Sequence, residues 1–277
     1  MGVVSGILYG GRTSAPAGDT GDANVWTGTG ATHYAKIESG LALASAGDVI
    51  DTGDGNLYRA IDDGGTLRAV RPEVYEGTSP TVQNTIDGDE ADFAALQANG
   101  WSSPSGYTNG ERGTSGTITY NGTTVAMSFN GSTDGCRIAG QNPADESTGY
   151  YWAGRLTVGA VSGTYIIGAL EDDGTNDQGH CRFNLVQSGA WSHFASTINY
   201  QVASNTSTSE QYVEVLAEPG AKGQVSLWID GALVHVCLRD SGSASGAQNF
   251  DLIADTGAGA TGSGSLAIRN FAQWTFT

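Results

Sequence analysis

Short apolar runs broken by glycine, asparagine and aspartate recur along most of the chain. From Thr114 to Thr277 they follow one another with little else between. The runs "TITYNG", "TVAMSFNG", "GCRIAG", "YYWAGRLTV", "TYIIGAL", "CRFNLV", "HFASTINYQV", "EQYVEVLAE", "QVSLWIDG", "ALVHVCLR", "FDLIAD" and "LAIRNFAQWTF" are strand-like, and turn residues separate them. Regular short strands without a helical period predict a two-sheet sandwich or a barrel.

The clearest local signal is "SLWIDGALVHV", Ser226 to Val236. Asp-Gly between alternating apolar residues predicts a two-residue hairpin, because a type I′ turn needs positive φ at both central positions. With the turn at Asp230-Gly231, Ile229 faces Ala232, Leu227 faces Val234 and Val225 faces Val236, an apolar face. Trp228 with Leu233, Ser226 with His235, and Gln224 with Cys237 then make the other face. Asp230 reads as a turn residue, neither a catalytic acid nor a metal ligand.

The pattern is weaker upstream. In residues 1–78, "GVVSGILYG" reads as an arm or first strand, and "SAPAGDTGDANVWTGTGATHYA" as loops around short extended pieces. Val49-Ile50, Asn56 to Ile61 and Thr66 to Val70 read as strands, with "DTGDG" and "DDGG" as turns. This predicts a small N-terminal β region. Residues 79–113 read as a connector with one short helix in "DGDEADFAALQANGW". Acidic residues open that helix, Phe93 and Leu96 mark its apolar face, and Gly100 stops it.

Composition narrows the function classes. Gly numbers 42 of 277 residues and the charged fraction is 15%, which suits turn-rich β structure. The net charge of -17 repels phosphate, so nucleic acid is not an expected partner. No run approaches the roughly 18 apolar residues of a membrane span, so no membrane insertion is expected. The first residues lack a basic region and a long apolar core, so the sequence reads as made in a cytoplasm without a signal peptide. Cys136, Cys181 and Cys237 are odd in number and lack a Cys-x-x-Cys motif, so buried thiols are expected rather than a disulfide framework.

Taken in order, these segments resemble a concanavalin A-like, laminin G-like jelly-roll domain over residues 114–277. "MSFNGSTDGCRIAG" resembles its opening strand, "YYWAGRLTV" the next core strand, "WSHFASTIN" the segment before the Asp-Gly hairpin, and "GSLAIRNFAQWTF" the closing strand. The fold class expected is therefore all-β: a concanavalin A-like antiparallel β-sandwich, preceded by a small β domain and one short helix. The resemblance implies edge loops that bind glycans or calcium in many relatives.

Its chemistry is sparse by this reading. Glycoside hydrolases of the superfamily carry a Glu-x-Asp-x-x-Glu strand, and lyases of similar shape an Arg-rich strand and a Gln-x-His strand; none of these patterns is present. Beyond Glu146 the glutamates are Glu171, Glu210, Glu214 and Glu218, none in the strand pattern a two-carboxylate mechanism needs. No catalytic residue is expected. The best ligand candidate is the acidic run Glu171 to His180, where Asp172, Asp173, Asn176 and Asp177 offer oxygen ligands to calcium. The commoner role of such a run is a solvated loop. No cofactor is otherwise expected; His180, Cys181, His193, His235 and Cys237 lack the spacing of a zinc site. Tyr150, Tyr151 and Trp152 are adjacent on one strand, so they cannot all face one core.

The arrangement as a whole resembles the surface proteins of tailed phages: a small Gly-rich β domain, a connector and a terminal lectin-like jelly roll. The expectation is a non-enzymatic virion structural protein, as capsid decoration, head fibre or tail fibre. It would sit on the virion surface as a homotrimer bound to other capsid or tail proteins and display a domain suited to cell-surface glycans. The competing expectations are a polysaccharide-degrading depolymerase and a free lectin or adhesin.

Overall fold

The computed structural model describes residues 25–75, 80–140, 148–163, 165–172, 181–186, 190–195, 198–203, 209–220, 223–238, 249–256 and 259–277; across 181–203 strand pairing is what it describes. The chain divides into two compact units, residues 1–75 and 76–277.

The first unit contains β1 (Val25–Thr27), α1 (His33–Leu41), β2 (Val49–Asp51), β3 (Leu57–Asp63), β4 (Thr66–Val70) and α2 (Pro72–Tyr75). Its sheet runs β1-β2-β3-β4, with β1 and β2 parallel and joined through α1. Only His33, Tyr34 and Ala35 of α1 lie in the stretch expected as loops, and no helix was expected in residues 1–78; α1 corrects that. Thr32 caps it by accepting from the Ala35 N–H, and His33, Ile37 and Gly40 form its buried face. The i, i+4, i+7 spacing is present in the sequence, but a histidine and a glycine hold two of its three positions. Burial of His33 is met by partners: Nδ1 lies 2.9 Å from Asp54 Oδ2, and Nε2 lies 2.8 Å from the Tyr58 hydroxyl. Arg71 donates to the same hydroxyl at 3.2 Å and lies over the Tyr58 ring. This polar chain ties α1 to β3, beside a core of Ile37, Ile50, Ala60, Val70 and Val74.

The second unit is an antiparallel β-sandwich. It contains β5 (Thr81–Ile86), α3 (Phe93–Ala98), β6 (Glu111–Arg112), β7 (Thr117–Tyr120), β8 (Val125–Ser132), β9 (Gly135–Gly140), β10 (Gly149–Val158), β11 (Ser162–Gly163), β12 (Ile166–Asp172), β13 (Cys181–Val186), β14 (Ala190–Ala195), β15 (Ile198–Ala203), β16 (Gln211–Ala217), β17 (Gln224–Ile229), β18 (Ala232–Leu238), β19 (Asn249–Asp255) and β20 (Thr261–Phe276). One sheet of nine strands follows β18-β17-β16-β10-β20-β8-β7, with β5 and β11 also paired to β20. The other, of seven, follows β15-β14-β13-β12-β19-β9-β6. "HFASTINYQV", expected as one strand, is a hairpin of β14 and β15.

The core lies between the sheets, as strand alternation requires. Tyr150, Trp152, Val213, Val215, Leu227 and Leu266 meet Ile138, Ile167, Phe250, Leu252 and Ala254 there. Trp152, Phe250, Phe271 and Trp101 form an aromatic cluster with ring centroids 5.8 to 6.3 Å apart. Residues 79–113, expected as a connector, supply parts of this unit. β5 pairs with β20, Phe93 and Leu96 of α3 enter the core, and Asp92 caps α3 by accepting from the Ala95 N–H.

Asp230 and Gly231 form the hairpin turn, with φ of 49° and 79°. Asp230 also bonds sideways: Oδ1 accepts from the Tyr212 N–H at 2.9 Å, and its own N–H donates to the Tyr212 carbonyl at 2.8 Å. The hairpin register differs from the sequence expectation below Trp228. A bulge makes Val234 the extra residue, so Leu227 pairs with His235, Ser226 with Val236 and Val225 with Cys237. Val234 still packs against the core, which is what the extra residue permits. His235 therefore sits opposite a core residue, and Val236 is turned to solvent.

Candidate functional site

Each sheet has a second face, turned away from the core. On the seven-stranded sheet that face is built by charged residues at alternate positions of otherwise apolar strands. In β9, Cys136 and Ile138 point into the core and Arg137 points away; in β19, Phe250, Leu252 and Ala254 point in and Asp251 and Asp255 away. Arg137 donates through Nε to Asp251 Oδ2 at 2.9 Å, and its terminal nitrogen closes the same pair. Gly135, opposite Asp255, leaves room for the carboxylate: a Cβ there would lie 2.4 Å from Asp255 Cγ.

Asp255 is the centre of the site. Arg112 on β6 donates to its Oδ1 at 2.5 Å, and the Tyr107 hydroxyl donates to its Oδ2 at 2.5 Å. Tyr107 arrives on a loop that turns back through Asn109 and Gly110, both at positive φ, and pairs at Thr108 with Glu111. The Arg112 guanidinium lies 5.1 Å from the Tyr107 ring centroid, a cation–π distance. Burial pushes the Tyr107 phenol well above its usual range, and the hydrogen bond to Asp255 adds to the shift. Asp251 and Asp255 are each 1% exposed, while the side chains of Arg112 and Arg137 are 25% and 24% exposed. The carboxylates are held from beneath and the donors reach solvent. Burial and this hydrogen bond hold the proton on Tyr107 at a partly open surface.

Register extends the face across the whole sheet. Arg137, Ile253, Gly168, Asn184, Ser192 and Gln201 occupy one cross-strand row; Ala139, Asp251, Leu170, Arg182, Phe194 and Asn199 occupy the next. Five strand spacings of ~4.8 Å make a row about 24 Å long. That length suits an extended polymer segment better than a single small molecule.

The nine-stranded sheet has a different second face. Tyr151 donates to Glu214 Oε1 at 2.7 Å, and both residues are 0% exposed. Trp274 lies beside Tyr151, with ring centroids 5.2 Å apart, and Tyr212, Leu216 and Ser226 are buried around them. Tyr150, Tyr151 and Trp152 are thus all buried, although they face opposite ways, because both faces of β10 are covered. Glu210 and Glu214, noted in the sequence, do not form a glycosidase pair. Four residues of strand separate them by about 13 Å, beyond the 9.5 Å upper limit of such pairs. Glu210 is also held by Arg155 and by Arg269, whose Nε donates at 2.6 Å. Burial pushes the Glu210 carboxyl up, but the two guanidiniums outweigh it and hold the group below its usual range.

Of the calcium candidates, Asp172 ends β12 opposite Asn249, and Asp173, Asn176 and Asp177 lie outside the described residues. His180 lies outside them too. Among the described residues no group of three or more His, Cys, Asp or Glu is placed to hold a metal ion. Tyr107, Arg112, Arg137, Asp251 and Asp255 were missed in the sequence. Charged residues at alternate positions of "CRIAG" and "FDLIAD" were the signal for three of them.

No protein-family model matches the sequence, and no curated protein matches it significantly. Similar solved structures exist. A sialidase superposes with a TM-score of 0.51 at 12% identity over 82% of this chain, which spans only 22% of that protein's length. The alginate lyase Aly36B superposes with a TM-score of 0.50 at 10% identity, over 71% of this chain and 97% of the lyase. A carbohydrate esterase of the Shiga toxin-encoding bacteriophage phi24B matches more loosely, with a TM-score of 0.48 at 16% identity over 72% of this chain and all of that one. The first two likenesses show the fold, a jelly-roll sandwich of the concanavalin A-like kind. They also correct the expectation of a non-enzyme, which rested on missing motifs. An alginate lyase matched over nearly its whole length has this fold, so missing motifs are no ground for excluding an enzyme.

Proposed function

We propose that the chain is a polysaccharide-degrading enzyme whose substrate lies across the second face of the seven-stranded sheet. The observation that carries this reading is the Tyr107–Asp255–Arg112 cluster, a phenol hydrogen-bonded to a carboxylate at the edge of a sheet face long enough for several sugars. Tyr107 gives its proton to the leaving glycosidic oxygen as that bond breaks, a water oxygen takes the anomeric carbon, and the water's proton returns to the phenolate, with Asp255 holding the phenol in place. Arg112 stays beside the pair and stabilises the charge as it moves. Arg137, fixed by Asp251, donates to the chain from its exposed edge. The glycan-acting neighbours support a carbohydrate role for such a sandwich.

The test is release of soluble oligosaccharide from a panel of bacterial and algal polysaccharides by the full chain and by Tyr107→Phe. The proposal expects release by the wild type and loss of about a hundredfold or more in the variant. No release from any polymer, or equal release by both proteins, would count against it. Display on a virion surface, expected from the sequence, is carried as a separate part of the proposal. Immunogold labelling of particles tests it.

A further inference from the structure

Charge across the same face carries the reading one step further. Alternation and register place Arg112, Arg137 and Arg182 on this face of the seven-stranded sheet, and with them Asp172, Asp251 and Asp255. That is three basic positions against three acidic ones. Two of the arginines are closed onto buried carboxylates: Arg137 on Asp251 and Arg112 on Asp255. The remaining polar positions of these strands, Asn184, Ser192, Asn199, Gln201 and Asn249, carry no charge. The chain as a whole carries -17.

A face built to take a polyanion needs positive charge that its own carboxylates do not cancel. Here an approaching carboxylate or sulfate meets each of these two guanidiniums together with the aspartate already bound to it. Attraction and repulsion act at nearly the same distance, and the acidic chain adds repulsion at long range. A neutral sugar does not meet this opposition. Its hydroxyls both donate and accept, so they can use the exposed edges of the ion pairs.

Resting on the function proposed above, we infer that the substrate is an uncharged polysaccharide and that Asp251 and Asp255 are the residues that exclude acidic ones. The aspartates act as specificity determinants by masking the arginines beside them.

The experiment measures binding of the full chain to a neutral polymer panel (galactan, glucomannan, dextran) and to alginate, polygalacturonate and hyaluronan, at low and high salt. Wild type is expected to prefer a neutral polymer by about tenfold or more at low salt, with little salt dependence. Asp251→Asn is expected to raise affinity for the uronate polymers by about tenfold at low salt, and high salt should remove the gain. Tighter wild-type binding of an anionic polymer overturns this inference and leaves the proposed function standing. Binding to no polymer at all overturns both. A folded Asp251→Asn with unchanged uronate affinity overturns the role of the aspartate, and the wild-type panel decides the substrate class even where that variant fails to fold.

Discussion

The two outward faces of the sandwich are made by the same device and end differently. On the nine-stranded sheet, polar residues inserted between core positions of β10 and β16 meet each other and are closed over: Tyr151 and Glu214 have no exposed surface. On the seven-stranded sheet, polar residues inserted in β9 and β19 are gripped from below, and their arginine partners stay a quarter exposed. The first arrangement is a lock, since a buried carboxylate needs its donor. The second is a platform, since its donors face water. A tyrosine–carboxylate contact is therefore no sign of chemistry by itself; what separates Tyr107–Asp255 from Tyr151–Glu214 is access.

The largest effect that would break this contrast is catalytic. Tyr107→Phe should lower polysaccharide cleavage by about a hundredfold or more in protein that stays folded, because Arg112 still partners Asp255. Tyr151→Phe should do the reverse. Glu214 would lose a buried donor at a cost of about 1–3 kcal/mol, read by denaturant unfolding, while cleavage by the folded fraction stays within about threefold. If Tyr151→Phe abolished cleavage in a fully folded protein, lock and platform would have to change places.

Smaller effects sharpen the account of the hairpin that edges the nine-stranded sheet. Gly231→Val places a β-branched residue at φ 79° and should cost about 1–3 kcal/mol. Asp230→Asn should cost only a few tenths, because asparagine tolerates positive φ and its Oδ1 can still accept from the Tyr212 N–H. The smallest effect is acid sensitivity at Glu210. Its folded pKa is depressed, so its contribution is complete above the usual glutamate range near ~4.3 and is lost as pH falls through the folded value. The partners are partly exposed, so the loss should not exceed about 1 kcal/mol; comparing acid unfolding of wild type with Glu210→Gln reads it.

The strands were legible because each has an alternating apolar set and a turn at its end. The turn at Asp230-Gly231 was legible for the same reason, but its register was not: nothing in "ALVHV" marks Val234 as the bulged residue. Helix α1 stayed hidden because His33, a polar residue, fills a core position and becomes tolerable only with Asp54 and Tyr58 beside it. The site was half legible. Arg137, Asp251 and Asp255 break apolar strands in a regular way, which marks a polar face. Tyr107 and Arg112 lie 148 and 143 positions from the carboxylate they share, and only the pairing of β6 with β9 and β9 with β19 brings them together. Known carboxylate and Gln-x-His strand patterns do not mark this face, because Tyr107 and Asp255 come from a loop and a strand end.

Hydrogen–deuterium exchange with and without a bound oligosaccharide tests the assignment of function to the seven-stranded face most directly. The account predicts ligand-dependent protection at residues 103–112, 135–140 and 249–255, and none at 211–229. Protection confined to 211–229, on the nine-stranded sheet, would contradict it.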